Sequence, residues 1–465
     1  MTNFSTQKDA KNQRRRAIAA VRVSPHGYFG ALLVLTFFSA LLMYLDAYMA
    51  GLLILAVSWL AISALALTDR IVFDGRRLRR TGVIPAIWNR SCGLRDRLKL
   101  SDIELVETRS LRALKRGGNI RYRYNTIVRG KGTTFAFASG RGYRQMILEL
   151  FPHLAENVLD ARSIELRDYL AETRDVLTKA RESHIPPAEV LENSIRKPRK
   201  GRSRSNPPTE MEVPKGSANA EGLRLLANGL RLSGFLLPAL EAFRRALLLR
   251  PRDGWLWLEY GRCMQSLAGS EKDERLGRRS IAMMRLAERH AEQNSELLAR
   301  LGESYCQAGE WGSASRAFRK SIQVTGENFR ATRGLAELAL RDGKIAHVIH
   351  NFAGAARAVE TAALRRWSRG EEEYFSRLND DEDYMEMEFR RLALADKLYS
   401  VRGSALRIAL ISLPWIAIGI LMEQEAIANV GWTVSTAAIL VWVAVSIARR
   451  TLADRIPPDM IDADD

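Results

Sequence analysis

Four uncharged apolar stretches stand in two pairs near opposite ends of this 465-residue chain, and the sequence between them is polar. The first pair is Tyr28–Leu45 and Ala47–Thr68, broken by Asp46; the second is Ile408–Met422 and Ala426–Ala448, broken by Glu423-Gln424-Glu425. A bilayer core of about 30 Å needs about 20 helical residues to cross it, and shorter runs serve when their flanks snorkel. Each pair therefore predicts a transmembrane helical hairpin, at 28–68 and 405–448, around a large soluble middle. A cleaved leader in place of the first span is disfavoured, because a second span follows at once and no small-residue cleavage site stands out.

Charge sets the orientation. Lys8, Lys11, Arg14, Arg15, Arg16 and Arg22 precede the first span, and Arg70, Arg76, Arg77, Arg79 and Arg80 follow the second. Arg402 and Arg407 precede the third, and Arg449 and Arg450 follow the fourth, while the two tight loops hold only acidic charges. Lys and Arg mark the cytoplasmic side. The expectation is a multi-pass inner-membrane protein with a basic cytoplasmic N-terminus (1–27), a cytoplasmic tail (449–465) and all soluble domains cytoplasmic.

Lys and Arg number 71 against 53 Asp and Glu, a net charge of +18. Much of that excess flanks the spans, where each basic residue near an anionic leaflet is worth about 1 kcal/mol. Anionic membrane lipid is thus the expected partner of the flanks, and nucleic acid is not required. A second basic block, Arg196, Lys197, Arg199, Lys200, Arg202 and Arg204, falls in a stretch rich in Pro, Ser and Gly, so 185–219 is expected to be a disordered linker. Cys92, Cys263 and Cys306 are scattered, without a CxxC pair, and read as reduced thiols.

After the second span the apolar period changes from helical to alternating. Ile120, Tyr122, Tyr124, Thr126 and Val128 share one face of a strand over Asn119–Arg129. Ile71-Val72-Phe73, Arg77–Ile84, Ile103–Thr108 and Thr133–Ala138 read as further strands, and Tyr143–Leu154 as a helix with one apolar side. Turns are marked by Asp74-Gly75, Lys115-Arg116-Gly117-Gly118 and Lys131-Gly132. The region 69–155, opening with Asp69-Arg70-Ile71-Val72-Phe73-Asp74-Gly75, resembles the bacterial pleckstrin-homology-like (PH-like) domains, which often follow a pair of membrane helices. The resemblance implies a binding or assembly module without catalytic residues. Arg121, Arg123 and Arg129 are its candidate contacts to anionic lipid. Residues 156–184 then read as a single charged helix, Ala161–Glu182.

Beyond the linker, Ala227, Gly261, Gly302 and Ala336 recur at spacings of 34, 41 and 34 residues. Around them stand Ala239, Phe243 and Pro251 in the first unit, Trp257 in the second, Tyr305, Ala314 and Phe318 in the third, and Gly343 in the fourth. This pattern resembles the tetratricopeptide repeat (TPR), a two-helix unit in which small residues admit close helix approach and glycine makes the turn. A lone pair of helices cannot bury its face, so the resemblance implies an all-α solenoid over 220–360. The spacing of 41 is expected to reflect an insertion of about seven residues in the second helix of repeat two. TPR solenoids hold extended peptides on their concave face. That face would carry Arg224, Asn228, Arg231, Trp255, Arg262, Glu303, Arg330 and Arg333. Arg224 and Asn228 fall where carboxylate-clamp TPRs grip a peptide terminus, but Glu259 and Glu296 replace the Asn and Lys of that clamp.

Residues 361–404, with Glu371-Glu372-Glu373 and Asp380-Asp381-Glu382-Asp383, read as acidic capping helices. No HExxH, P-loop, GxGxxG or GxSxG is present. His347 and His350 sit three residues apart without a carboxylate or Cys in register, so no metal or other cofactor is expected. The reading is a non-enzymatic membrane adaptor whose solenoid recruits a protein. The alternative is a membrane or lipid sensor using the basic PH-like domain, with the solenoid regulatory. The oligomeric state is left open by the sequence.

Overall fold

The computed structural model describes residues 18–23, 26–83, 97–116, 119–196, 219–453 and 455. Cys92, the basic residues between Lys197 and Arg204, those preceding Ala17, Ile84, Gly117, Gly118 and most of the tail lie outside them. The chain forms two compact units, one from residues 1–24 and 67–372, the other from 25–66 and 373–465.

The first unit opens on two antiparallel sheets. Strands β1 (Ala19–Arg22), β2 (Arg70–Phe73), β3 (Arg77–Thr81) and β4 (Arg97–Lys99) make one sheet in that order. Strands β5 (Leu105–Arg116), β6 (Asn119–Gly130) and β7 (Thr133–Ala138) make the other. Register brings Ala19, Phe73, Leu78 and Leu98 into one inward row, facing Val106, Val128, Phe135 and Phe137. Helix α3 (Tyr143–Leu150) closes this core with Met146, Ile147 and Leu150, all fully buried. Asp69 is buried just before β2, where the Arg80 guanidinium binds both its oxygens at 2.9 and 2.6 Å.

Strand β1 corrects the expected boundaries. It precedes the apolar helices α1 (His26–Tyr44) and α2 (Tyr48–Thr68), so that hairpin is inserted within the sheet rather than placed ahead of it. Four residues with only Ala19 and Val21 turned inward are too short for alternation to reveal. The expected strand Ile103–Thr108 is also longer, because β5 pairs along the whole of β6 with a register shift at Arg112/Leu114.

The expected helix over 156–184 is two: α4 (Ala161–Tyr169) and α5 (Thr173–Glu182). The linker expected at 185–219 begins instead with a packed element, α6 (Ala188–Arg196), with Ile185 and Ala188 buried. Pro186 and Pro187 stand just ahead of that helix, where a missing N–H costs nothing.

Four helix pairs follow: α7 (Ala220–Ser233) with α8 (Leu236–Leu249), α9 (Gly254–Glu271) with α10 (Glu274–Arg289), α11 (Ser295–Ala308) with α12 (Trp311–Thr325), and α13 (Phe329–Arg341) with α14 (Ile345–Arg357). Each first helix is N-capped by Asn or Asp: Asn219, Asp253, Asn294 and Asn328 each accept a first-turn amide. Ala227, Ala239, Phe243, Ala314, Phe318 and Ala336 are buried at helix contacts, and Tyr305 is enclosed. Trp257 donates to the Pro251 carbonyl at 2.8 Å. Gly234, Gly309 and Gly343 take positive φ at the turns, and Lys272 takes that conformation in repeat two. The extra residues of that repeat therefore lie mostly in its first helix, which is 18 residues long against 14 for α7 and α11.

The second unit contains four helices long and apolar enough to cross a membrane. Two are α1 and α2; the others are α16 (Glu382–Leu421), which follows α15 (Ala362–Asp380), and α17 (Glu425–Thr451). The expected acidic cap at 361–404 is thus not separate, because α16 runs 40 residues without interruption into the apolar stretch. Small residues admit close crossings here: a Cβ on Gly431 would stand 2.8 Å from Ile416 Cγ1, and Ser39 Oγ donates to Gly51 O at 2.6 Å. Leu53, Leu60, Ile411 and Trp415 face outward from these helices.

One packing contact gives a sign-dependent prediction. The Phe318 ring lies in a slot between Gly302 and Gly334, and a Cβ on either would overlap it. Gly302→Ala and Gly334→Ala should each lower stability by about 1–3 kcal/mol through overpacking. Gly312→Ala, with nothing within 4 Å of its Cβ position, should be neutral or raise stability by up to about 1 kcal/mol. Thermal unfolding of the three variants checks this, and equal melting temperatures would contradict the packing.

Candidate functional site

The inner face of the solenoid is lined with arginines, and their anions come from the chain itself. Glu165 on α4 is the centre. Its carboxylate lies 2.9 Å from Arg162, 3.0 Å from Arg231 of α7 and 2.8 Å from Arg262 of α9. The side chains of Glu165, Arg231 and Arg262 are all less than a tenth exposed. Burial by itself would raise the Glu165 pKa. The guanidiniums of Arg231, Arg262 and Arg162 outweigh it and hold the carboxyl well below the usual range. Burial draws Arg262 down to about 10, against the attraction of Glu165, so it keeps its charge at neutral pH.

The pattern continues along the stack. Arg300 of α11 contacts Glu156 and Glu296, each at 2.8 Å. Arg330 of α13 contacts Glu303 at 2.8 Å and donates to the carbonyl of Glu156 at 3.2 Å. At the other end Arg224 binds both oxygens of Glu259 at 2.8 Å, and Asn228 Nδ2 donates to the same carboxylate at 2.9 Å. Glu259, one of the two departures from the clamp pattern, thus takes up both Arg224 and Asn228. Trp255 lies under Arg224 at 6.0 Å, and Arg333 pairs with Glu337 at 2.9 Å while stacking on Trp367 at 5.3 Å.

The occupying segment is joined to the sheets. Leu159 bridges Val106 in parallel, and Asp160 N donates to Val106 O at 3.0 Å. Asp160 caps α4 through Ser163 N at 2.8 Å. Thr108 Oγ1 meets Ser163 Oγ at 2.8 Å and Thr126 Oγ1 at 3.0 Å, and Thr126 in turn meets the Tyr143 hydroxyl at 2.8 Å. The sheet core itself reaches Leu232, Phe329, Ala355 and Leu364 of the helical region. Gly234 at the first repeat turn carries Ile120 N on its carbonyl at 3.0 Å, and a Cβ there would collide with the Ile120 carbonyl.

The expected open groove is therefore corrected. Arg224, Asn228, Arg231, Arg262, Glu303 and Arg330 do gather on one face, but Arg224 and Asn228 are taken up by Glu259, Arg330 by Glu303 and the Glu156 carbonyl, and Arg231 and Arg262 by the buried Glu165. The sequence reading missed Arg300, which falls outside the positions it assigned to the concave face, and it missed Glu165, which lies in the helix read only as charged. A cavity of about 290 Å³ remains beside Tyr169, Arg224, Trp255 and Arg300. Arg121, Arg123 and Arg129 are exposed on β6, although Glu107 lies 3.7 Å from Arg129. His347 and His350 are exposed on α14, and no three His, Cys, Asp or Glu among the described residues gather as a metal site. Burial pushes the Cys263 and Cys306 thiols up to about 12.

Removing the central anion tests the array. Glu165→Gln leaves buried guanidiniums uncompensated and should cost about 3–5 kcal/mol. The depressed carboxyl contributes its stability above its unfolded value near 4.5 and loses it as pH falls toward the folded value. The stability gap between wild type and Glu165→Gln should therefore be widest at neutral pH and narrow below pH 4.5. Urea unfolding at several pH values measures it; a gap independent of pH would contradict the assignment.

No family model matches this chain, and no curated protein matches it. Solved structures similar to it include a thermophilic TPR protein, TTC0263 of Thermus thermophilus, at 20% identity over 33% of this chain and 81% of that one, with a TM-score of 0.29. MamA matches at 20% identity over 30% and 78% with a TM-score of 0.25, and PilF of Pseudomonas aeruginosa at 16% over 46% and 88% with a TM-score of 0.28.

Proposed function

We propose that this chain is a membrane-anchored, non-enzymatic adaptor that presents a TPR-like solenoid at the cytoplasmic face of an inner membrane to recruit a protein partner. The observation that carries the reading is a four-pair helical stack that falls, along the chain, between two pairs of outward-facing apolar helices. Basic residues flanking those helices support the cytoplasmic assignment. The charged groups packed into the inner face of the stack neutralise one another, which suits a structural rather than a catalytic role. With that face consumed internally, recruitment falls to the outer helices, where Leu248, Leu249 and Val324 are exposed.

Two measurements separate anchoring from recruitment. The full-length protein should stay in membranes after alkaline carbonate washing, and release would remove the anchor. A Cys at Glu423 should react with an impermeant thiol reagent in intact spheroplasts, whereas a Cys at Gly312 should react only after lysis; the reverse would invert the topology. Affinity purification should lose co-purifying proteins from the variant with Leu248→Glu and Val324→Glu. An unchanged set of partners would remove the outer face from consideration.

A further inference from the structure

The four-stranded sheet has an outer face of one sign. Arg22 stands opposite Arg70, Arg79 opposite Arg97, and Arg77 opposite Lys99, and all six side chains are exposed. Among the described residues of these strands, no outward position holds a carboxylate. Asp74 in the adjoining turn accepts from the amides of Arg76 and Arg77 at 3.0 and 2.8 Å. Like charges directly across a sheet oppose its pairing. Arg22 with Arg70 and Arg77 with Lys99, at opposite ends of the sheet, favour an anionic surface that spans several strands. The face differs in this from β6, where Glu107 of the neighbouring β5 lies 3.7 Å from Arg129.

Connectivity supplies the second constraint. β1 ends at Arg22, with Val23 bridging Phe137 of β7, and α1 begins at His26, while α2 ends at Thr68 and β2 begins at Arg70. Connections this short reach no more than about 10 Å. A sheet tied in this way stays near the headgroups of any bilayer crossed by α1 and α2.

We propose that the outer face of β1–β4 is a docking surface for anionic phospholipid headgroups, with the sheet lying flat on the leaflet. The proposal rests on the membrane-anchored reading. Arg77 and Lys99 lie furthest from the chain's entry at Arg22 and Arg70, so they report on lying flat: an upright sheet would hold them off the surface by the length of a five-residue strand, about 15 Å.

Lys99 is a natural probe. The full-length protein is reconstituted in phosphatidylcholine vesicles with or without about one-third phosphatidylglycerol. The vesicles are floated, treated with an impermeant amine-acylating reagent and analysed by peptide mass spectrometry. Lys99 acylation should fall at least about five-fold in the anionic vesicles, the worth of one basic residue at such a surface, while Lys344 on the solenoid keeps its reactivity. Arg77→Glu with Arg79→Glu places opposite charges across from Lys99 and Arg97. That variant should melt no lower than wild type, yet its Lys99 should react equally in both vesicle types. Flotation of wild type with Lys99 equally reactive in both would overturn the docking face alone. Failure to float with either would overturn the membrane reading and the proposal together.

Discussion

A buried carboxylate shared among three arginines joins the parts of the first unit. Glu165 sits on a helix that continues from the sheets, whereas Arg231 and Arg262 belong to successive repeats. Desolvating such ions is costly unless every partner is in place. The array is therefore selective more than adhesive: it admits one seating of 156–169 against the repeats and penalises any seating that leaves a guanidinium unpaired. Arg300 and Arg330 extend the same condition along the stack through Glu156 and Glu303. Sheets and solenoid consequently form one body, and the inner face is committed to internal packing.

The placement of β1 imposes an order on assembly. Its partner β2 comes only after both helices of the first apolar hairpin, so completing the four-stranded sheet requires closing the chain from Arg22 to Arg70. Pairings of such sequence separation form late because loop closure must precede them. The sheet completed by this long-range pairing is the one with the like-charged outer face.

Glycine has two separate uses in the helical region. At Gly234 the positive φ ends a helix and lets the turn approach β6, so a single residue serves both the repeat and its contact with the sheet. At Gly302 and Gly334 the missing Cβ makes room for one ring, Phe318, between two first helices. Ala227 and Ala336, fully buried at the equivalent repeat positions, keep the small side chain that Gly302 takes to its limit.

The apolar helices, the strand over Asn119–Gly130 and the repeat period were legible in the sequence because each is a local regularity. Length, alternation and a spacing near 34 residues can be read without knowing what lies opposite. The same local reading failed where an element's character depends on a distant partner. Ala19–Arg22 is a strand only because Arg70–Phe73 lies beside it, and the helix over 382–421 joins segments that composition divides in two. The arginines of the inner face were visible, but not their anions: Glu165 sits in a segment as charged as any solvated helix, and nothing local marks it as buried. Sequence determined the parts and their periods. Tertiary structure alone decided that the groove is filled, because burial of a charge is set by the positions of its partners, and those are 66 and 97 residues away at Arg231 and Arg262.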